Sequence, residues 1–167
     1  KGSPYETFVE GFRGYYQLGT AAVKLAEHIR GMGYPARVHH PMGAGRIATV
    51  PFAVMAGLGE QGRNGILITP EYGARLRMGA VSTDLPLAID KPISFGVAEH
   101  CQDCKICLRA CPSGIIPETR SVQRGIERWV VTNADACRDY MHGKQWCVTC
   151  LKVCPFNEPG YAQSLMG

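Results

Sequence analysis

All eight cysteines lie in the last 67 residues, in two runs that each end in Cys-Pro. The first run has the spacing Cys-x2-Cys-x2-Cys-x3-Cys-Pro, and the second has Cys-x9-Cys-x2-Cys-x3-Cys-Pro. Such runs hold 4Fe–4S clusters, and in two-cluster proteins the fourth thiolate of each run binds the other cluster. The spacing therefore predicts two clusters with crossed ligation, one held by Cys101, Cys104, Cys107 and Cys154 and the other by Cys111, Cys137, Cys147 and Cys150.

Two other uses of cysteine fit this pattern less well. Disulfide frameworks are typical of small secreted chains with little core, whereas this chain has 167 residues and 46% hydrophobic content. Zinc sites usually show two Cys-x2-Cys pairs separated by a longer spacer. Zinc and disulfides are therefore minor alternatives, and oxygen-sensitive clusters indicate assembly in a reducing cytoplasm.

Charge and hydropathy limit the partners and the location of the chain. A net charge of +4, with acidic and basic residues interleaved, is too mild to indicate nucleic acid as a partner. The sequence contains no run of 18 apolar residues, so it predicts no membrane span, and no signal peptide is visible. Because the chain starts at Lys1 rather than Met, we expect a processed chain or a fragment. We expect a cytoplasmic protein, or one exported folded to the outer face of the membrane if an upstream signal was removed.

The N-terminal part predicts helices. Ser3-Pro4 and a following Glu form a helix start, and this helix runs to about Phe12, with a break at the glycines of 11–14. Apolar residues spaced three and four apart predict a second, amphipathic helix from Tyr15 to Arg30. It ends at Gly31-x-Gly33, which is typical of a helix C-terminus.

The middle of the chain predicts short elements. A helix is expected over 49–56, and strands are expected over 36–39, 66–69 and 74–81. Residues 1–94 thus predict part of an α/β domain. Residues 95–167, rich in cysteine and short helices, predict a ferredoxin-like module with two clusters.

A glycine-rich stretch, Gly57–Gly65, precedes the second of these strands and contains four glycines in nine residues. Such a backbone can approach a flat or phosphorylated ligand closely. No Gly-Lys-Ser/Thr follows, and a strand rather than a long helix comes next, so neither common nucleotide-binding motif is present. On composition alone, a plain turn is the favoured alternative.

Five short motifs occur in a fixed order within residues 15–160. They are Ile-Arg-x-x-Gly-Tyr-x-Ala from Ile29, Ala-Gly-Leu-Gly-Glu-x-Gly-Arg-x-Gly from Ala56, Thr-Pro-Glu-Tyr-Gly from Thr69, Thr-Asp-Leu-Pro-Leu from Thr83 and Cys-Pro-Phe-Asn-x-Pro-Gly from Cys154. Each motif alone is weak, but the ordered set is specific. In this order the chain resembles the corrinoid-dependent reductive dehalogenases.

The resemblance implies an oxidoreductase with a nitroreductase-like α/β domain that binds a base-off cobalamin or related corrinoid. In that family two 4Fe–4S clusters feed electrons to the cobalt, and the carbon–halogen bond of a small organohalide becomes carbon–hydrogen. The implied electron donor is a ferredoxin or flavodoxin, a reductase domain or a membrane-anchor subunit. Association as a homodimer is left open. The chain has no Asp-x-His-x-x-Gly motif for a lower axial histidine, which fits the base-off form.

The resemblance also implies a tyrosine proton donor beside a cation. By position, Tyr15 or Tyr16 is the donor and Arg77 its partner, since a nearby cation favours the phenolate left after proton transfer. Arg75 is an alternative to Arg77, because residues two apart in a strand share a face. A packing role for the tyrosine and an exposed position for the arginine are the plain alternatives.

Corrinoid contacts are expected from three loops, largely through backbone atoms. His39 and His40 either line this pocket or lie in a solvated loop. At Ala44, where some family members carry Asn, a hydrogen bond to substrate or corrinoid is lost or supplied elsewhere. The predicted contacts are Gly43, Ala44, Gly57, Gly59, Glu60, Arg63, Thr69, Glu71 and Tyr72.

Two other functions compete with dehalogenation. Epoxyqueuosine reductase, a corrinoid and iron–sulfur enzyme acting on tRNA, is expected to carry Gly-Trp-Ile-Gly-Lys where this chain has Gly59-Glu-Gln-Gly-Arg63. A two-cluster ferredoxin that only carries electrons would account for residues 95–157. The ordered motifs of the first 94 residues argue against a pure carrier.

Overall fold

The computed structural model describes residues 4–42, 47–123, 125–143 and 147–165. The chain divides into two compact units. We call Lys1–Thr49 with Arg77–Ile89 the helical unit, and Val50–Leu76 with Asp90–Gly167 the cysteine unit. The predicted division into 1–94 and 95–167 follows chain order and stays a prediction.

The described elements are short apart from the first helix. In chain order they are α1 (Pro4–Gly31), β1 (Ala36–His39), α2 (Thr49–Met55), β2 (Glu60–Gln61), β3 (Leu67–Ile68), β4 (Ala80–Thr83), α3 (Val97–Cys104), α4 (Ile106–Ala110), β5 (Ser121–Gln123), β6 (Ile126–Arg128), α5 (Ala134–Gly143), α6 (Thr149–Lys152), a 3-10 helix (Pro155–Asn157) and α7 (Tyr161–Leu165). None of the described helices is long and apolar enough to cross a membrane.

Helix α1 is continuous, so the predicted break at its glycines is wrong. A glycine inside a helix costs only about 1 kcal/mol relative to alanine, which a long hydrogen-bonded helix tolerates. Gly11 and Gly14 lie one turn apart, and a Cβ at either position would come within 3.8 Å of the Arg77 side chain. The two glycines therefore leave room for this arginine along α1.

The helical unit packs α1 against a two-stranded sheet. Strands β1 and β4 are antiparallel, with Ala36 opposite Thr83 and His39 opposite Ala80. Ala22, Ala26 and Ile29 form the buried stripe of α1, at the spacing expected for one helix face. The predicted strand over 36–39 and helix over 49–56 are confirmed.

The strand predicted over 74–81 begins later than expected, at Ala80. The preceding backbone is used elsewhere, because the Ala74 N–H donates to Asn157 Oδ1 at 3.1 Å. A side-chain acceptor thus replaces a sheet partner. Arg75 and Arg77 consequently do not share a strand face. The buried strand predicted over 66–69 is observed as β3, followed by an isolated bridge between Thr69 and Gly73.

The core of the cysteine unit collects residues from distant parts of the sequence. Phe156 is central, with its ring edge-on to Phe95 at 6.2 Å and to His100 at 5.2 Å. One cysteine is itself a core residue. The buried cluster consists of Ile68, Ala74, Phe95, Val97, Cys101, Trp129, Phe156 and Ala162.

Candidate functional site

The first run of cysteines faces one cavity. Helix α3 carries Cys101 and Cys104 one turn apart, so both lie on one helix face. Lys105 follows with φ 48°, a left-handed conformation that ends α3 and begins α4. This sharp turn allows Cys107 of α4 to line the same cavity as the two cysteines of α3.

The fourth cysteine at this cavity comes from the second run. Cys154 lines it together with Cys101, Cys104 and Cys107. Burial raises the pKa of the Cys154 thiol to about 11, although the Phe156 N–H donates to it; the neighbouring thiols add to the increase. The structure thus brings together the four cysteines predicted for one cluster.

The other four cysteines also influence one another. Burial raises the pKa of Cys150 to about 11, and charge on Cys107, Cys111, Cys137 and Cys147 adds to this increase. Burial likewise raises the pKa of Cys137, with contributions from Cys111 and Cys147. Cys111, from the first run, thus interacts electrostatically with Cys137 and Cys150 of the second run. These interactions also bring Cys150 near Cys107, so the two groups adjoin.

Cys111 has the most polar surroundings of the second group. Burial alone would raise its pKa, but hydrogen bonds from the Ser113 hydroxyl and from the N–H groups of Ile115, Ser113 and Gly114 outweigh burial and lower it. The Ser113 Oγ lies 3.6 Å from the Cys111 Sγ. Similarly, the Thr149 Oγ1 lies 3.3 Å from the Cys147 Sγ. Such contacts stabilise a thiolate.

The donor chemistry of the two groups fits iron–sulfur ligation. Four grouped thiols become metal ligands when iron displaces their protons. In the described ranges, no three His, Cys, Asp or Glu side chains form a group that could hold a metal ion. A 4Fe–4S cluster needs a wider arrangement, because each of the four thiolates binds a different iron atom.

Arg63, a predicted corrinoid contact, lies inside the cysteine unit. Its side chain is 1% exposed and lines the cavity of Cys101, Cys104 and Cys107. All of its guanidinium N–H groups donate to backbone carbonyls of Cys101, Gln102, Pro117 and Glu118. No guanidinium N–H is therefore left for a corrinoid.

Two asparagines that sequence reasoning missed support the same backbone. Asn64 donates to the Cys150 carbonyl at 3.4 Å. Asn157 accepts the Ala74 N–H and donates to the Leu151 carbonyl. The sequence signals were an Arg-Asn pair flanked by glycines and the Asn after Cys-Pro-Phe. Neither signal distinguishes a structural hydrogen bond from a ligand contact.

The glycine-rich stretch lies against the protein's own backbone. A Cβ at Gly59 would overlap the Ile68 carbonyl oxygen, and one at Gly57 would overlap the Lys91 carbonyl oxygen. Glu60 directly follows Gly59, and its Oε2 accepts the N–H groups of Phe95 at 2.6 Å and Val97 at 3.2 Å. Glu60 therefore caps the N-terminal end of α3. Its predicted corrinoid contact stays a prediction.

The other predicted corrinoid contacts have different surroundings. Thr69 is buried, and its Oγ1 accepts the Tyr72 N–H at 3.1 Å, which closes a tight turn. Glu71 and Tyr72 on this turn are exposed. Gly43 and Ala44 lie outside the described residues, so their predicted contacts, including the departure from Asn at Ala44, stay predictions.

Tyr15 lies in an open groove of the helical unit. The guanidinium carbon of Arg77 lies 5.0 Å from the centre of the Tyr15 ring, within cation–π range. Tyr16 is 76% exposed, whereas Tyr15 is only partly exposed. The structure thus brings Tyr15 and Arg77 together. Arg75 instead donates to the Asn157 carbonyl at 2.6 Å in the cysteine unit.

His40 contributes to the same groove, and its hydrogen bonds define its tautomer. The Met42 N–H donates to His40 Nδ1 at 3.1 Å, so this nitrogen carries no proton. His40 Nε2, 2.9 Å from the Tyr15 carbonyl, is therefore the N–H donor. The His40 ring also lies edge-on to the Tyr15 ring, with centroids 5.9 Å apart. His39 is buried and bonds to Ser82 instead.

Comparison with known proteins defines the class of the cysteine module. A family model described as a 4Fe-4S dicluster domain matches residues 100–157. These residues contain both Cys-Pro runs, so the predicted ferredoxin-like iron–sulfur module is confirmed at this level.

Two sets of relatives define the family. The chain is 38% identical over 158 residues to a tetrachloroethene reductive dehalogenase of Dehalobacter restrictus, covering 87% of this chain and 28% of the relative. Identity to that of Sulfurospirillum multivorans is 42% over 143 residues, covering 80% and 28%. An epoxyqueuosine reductase of Listeria monocytogenes is 32% identical over 127 residues, covering 72% and 32%.

Solved structures likewise show greater similarity to a reductive dehalogenase than to an epoxyqueuosine reductase. A catabolic reductive dehalogenase superimposes with a TM-score of 0.87 and 31% identity, covering 95% of this chain and 24% of that one. An epoxyqueuosine reductase bound to a tRNA stem loop, at 0.64 and 23%, covers 87% and 39% and shares the fold. The chain belongs to the reductive dehalogenase family, and it spans 28% of the length of the curated dehalogenases above.

Proposed function

We propose that the full-length protein containing this chain catalyses reductive dehalogenation of a small organohalide. The reaction consumes two electrons and one proton, breaks a carbon–halogen bond, forms a carbon–hydrogen bond and releases halide. The observation that carries the proposal is that the chain has two four-cysteine groups and is also 38–42% identical in sequence to reductive dehalogenases. The groups suit electron delivery, and the identity indicates the reaction.

The cysteine unit would hold two 4Fe–4S clusters, which when bound supply electrons one at a time. We assign Cys101, Cys104, Cys107 and Cys154 to one cluster and Cys111, Cys137, Cys147 and Cys150 to the other. Support comes from the cavity that the first set lines and from the mutual pKa effects within the second. The nearness of Cys107 and Cys150 suits transfer between the clusters.

A base-off corrinoid, bound to a nitroreductase-like α/β domain, is the proposed centre for breaking the carbon–halogen bond. The support is a solved relative whose description refers to B12-dependent dehalogenation. The fit within this chain is incomplete, because Arg63, Glu60 and Thr69 are occupied by protein hydrogen bonds. We therefore assign the corrinoid to the full-length protein, and the exposed turn of Glu71 and Tyr72 remains available to it.

Tyr15 is the proposed proton donor. Its phenol can give up a proton to the developing carbanion-like carbon. The Arg77 guanidinium carbon lies 5.0 Å from the centre of the Tyr15 ring, and a cation this near favours the phenolate that remains. His40 holds the carbonyl of the same residue through its Nε2–H, which fixes this part of the groove. The exposed Tyr16 has no such neighbours among the contacts of the described residues, so we rank it second.

The groove at Tyr15 suits a small apolar substrate. Phe12, Val23, Val38 and Met42 contribute apolar walls, and the volume is about 760 Å³. Curated relatives are named for tetrachloroethene, and one solved relative is in complex with 3-bromo-4-hydroxybenzoic acid. We propose an aryl or alkenyl halide as the substrate. The electron donor, a homodimeric state and export after assembly in the cytoplasm are further proposals from the family resemblance.

The proposal is tested on the full-length protein, purified without oxygen and supplied with corrinoid. We expect about eight iron atoms and one cobalt per chain, and halide release when a reduced dye supplies electrons. Conversion of epoxyqueuosine in tRNA without halide release would favour the tRNA-modifying relative. Iron without cobalt, together with dye oxidation and no product, would indicate an electron carrier and remove the roles of Tyr15 and Arg77.

A further inference from the structure

Arg63 is a buried cation held without a carboxylate. It is the one buried lysine or arginine in the described part of the chain. Its Nε and Nη2 donate to the Cys101 carbonyl at 2.9 and 2.6 Å, and Nη1 donates to the Pro117 carbonyl at 2.8 Å. None of the ion pairs found in the described ranges includes Arg63.

An aromatic ring completes the surroundings of this cation. The guanidinium carbon lies 4.0 Å from the centre of the Trp129 ring, and Trp129 is itself buried. Carbonyl dipoles and a π face stabilise a cation, but a buried charge remains costly without an opposite charge nearby. No carboxylate among the described residues forms an ion pair with Arg63, whereas a cluster on the adjacent thiolates would supply negative charge.

The position of Arg63 favours one cysteine group over the other. It lines the cavity of Cys101, Cys104, Cys107 and Cys154. Its guanidinium donates to the carbonyls of Cys101 and Gln102 in α3, the helix that carries two of these four cysteines. Among the described residues, its hydrogen-bond partners are the carbonyls of Cys101, Gln102, Pro117 and Glu118, and none of them belongs to a cysteine of the second group. A fixed charge here therefore acts mainly on the first group.

We propose that Arg63 is a positioning residue that raises the reduction potential of the cluster on Cys101, Cys104, Cys107 and Cys154. The proposal rests on the cluster assignment made above. A cluster bound by four thiolates is anionic and gains one more negative charge when it accepts an electron. A buried cation stabilises the reduced form more than the oxidised form, since charge interactions are strong where water is excluded. Reduction of this cluster thus becomes easier, and we expect a smaller effect on the potential of the other cluster.

The glycine-rich stretch gains a physical role from this proposal. Its close approach to the protein backbone delivers Arg63 to the carbonyls of α3, and the next residue, Asn64, reaches the Cys150 carbonyl. One short loop therefore contacts the backbone carbonyl of a predicted cluster-binding cysteine from each run, Cys101 and Cys150. Arg63 alone carries charge, so it is the residue that differentiates the two clusters electrostatically.

The test is an EPR-monitored redox titration of the full-length protein and its variants, without oxygen. Arg63→Gln removes the charge but keeps polar groups, and we expect a shift of the first cluster to more negative potential. Arg63→Lys keeps the charge and should stay close to the unaltered protein. Arg109→Gln is the matched control, because Arg109 also donates to a ligand carbonyl, that of Cys104, but is exposed. Water screens its charge, so its removal should shift the potential little.

The outcomes separate the two levels of the proposal. The first cluster's signal is identified as the one lost in Cys104→Ala. An unchanged potential in R63Q with intact clusters, or an equal shift in R63Q and R109Q, would overturn the role of Arg63 alone. Absence of clusters from the unaltered protein would instead contradict the proposed function.

A second variant keeps the proposal testable if R63Q loses iron. Arg63→His places a titratable cation at the same site. The first cluster's potential should then fall more steeply with rising pH in R63H than in R63K, because only the imidazole loses its charge near neutrality. Parallel pH dependences in R63H and R63K would overturn the proposal.

Discussion

The two units hold their functional residues in opposite ways. In the cysteine unit, Cys101, Arg63 and Asn157 are buried. Backbone groups bond to the polar side chains among them: Arg63 donates to the Cys101 carbonyl, and Asn157 accepts the Ala74 N–H. In the helical unit, Tyr15 lies in an open groove with one cation and one imidazole beside it. The buried cysteine unit thus suits a tightly held cofactor, whereas the groove leaves its tyrosine accessible to a small molecule.

This difference reflects the chemistry that each unit performs in the proposed function. Electron transfer requires clusters kept in fixed, partly dry surroundings, because burial and hydrogen bonds set their potentials. Proton donation requires a side chain that meets a substrate entering from solvent. Variants in the cysteine unit should therefore affect cofactor content, and those in the groove should affect turnover with cofactors intact.

The largest expected effect is the loss of one cluster. Cys154→Ala should lower the iron content from about eight to about four atoms per chain, because its thiol lines the cavity of the first run. The residual EPR spectrum of C154A should match that of Cys104→Ala. Iron analysis and EPR of the reduced protein provide the measurement.

Cys111→Ala is the matched control for this experiment. It should leave the complementary spectrum, equal to that of Cys137→Ala, because Cys111 interacts with the thiols of the second run. If C154A instead matched Cys137→Ala, the crossed ligation would be wrong and each run would hold its own cluster.

The next effect concerns proton donation in the groove. Tyr15→Phe removes the phenolic hydroxyl but keeps the aromatic ring under Arg77, so both clusters should remain. We expect turnover to fall by about 10²- to 10⁴-fold, the typical contribution of a general acid. Halide release is measured alongside iron content. Tyr16→Phe, at a position 76% exposed, should retain most activity; the reverse result would move the proton donor to Tyr16.

The sequence predicted these two regions unequally, for physical reasons. Cysteine spacing defines an iron–sulfur module because thiol chemistry and loop length are nearly sufficient, and the match over residues 100–157 agrees. The predicted break in the first helix was wrong, because the low helix propensity of glycine costs less free energy than the continued helical hydrogen bonding gains. The prediction of a strand over 74–79 was wrong. The Ala74 N–H donates to Asn157 Oδ1, more than 80 residues away in sequence, instead of to a neighbouring strand.

Arg63 illustrates what sequence reasoning cannot assign. An arginine among glycines suits contact with a ligand, yet its five N–H groups reach carbonyls of α3 and of residues 117–118. These partners are 38 to 55 positions away. Only the fold brings them together, so the cation beside the first cysteine group could not be read from spacing.

A smaller effect tests the cation of the groove. Arg77→Met keeps a side chain along Gly11 and Gly14 but removes the charge over Tyr15. A cation–π contact is worth about 0.5–2 kcal/mol, so turnover should fall about 10-fold, which corresponds to about 1.4 kcal/mol. Arg77→Lys should lose less. Arg75→Met, whose arginine bonds to the Asn157 carbonyl, should reduce stability rather than turnover; loss of turnover only in R75M would favour the alternative pair.

The smallest expected effect distinguishes a cap from a cofactor contact at Glu60. Glu60→Ala leaves the N–H groups of Phe95 and Val97 without their carboxylate acceptor. Because the N-cap residue of α3, Gly96, has no side chain of its own, the free energy of unfolding should fall by about 1 kcal/mol, the typical value of a cap. Glu60→Gln keeps one acceptor oxygen and should lose less. Thermal unfolding of the cluster-loaded protein measures both variants, and cobalt content is measured in parallel. A lower cobalt content with an unchanged Tm would show that Glu60 contacts the corrinoid, whereas a lower Tm with unchanged cobalt is the result expected from its position at the start of α3.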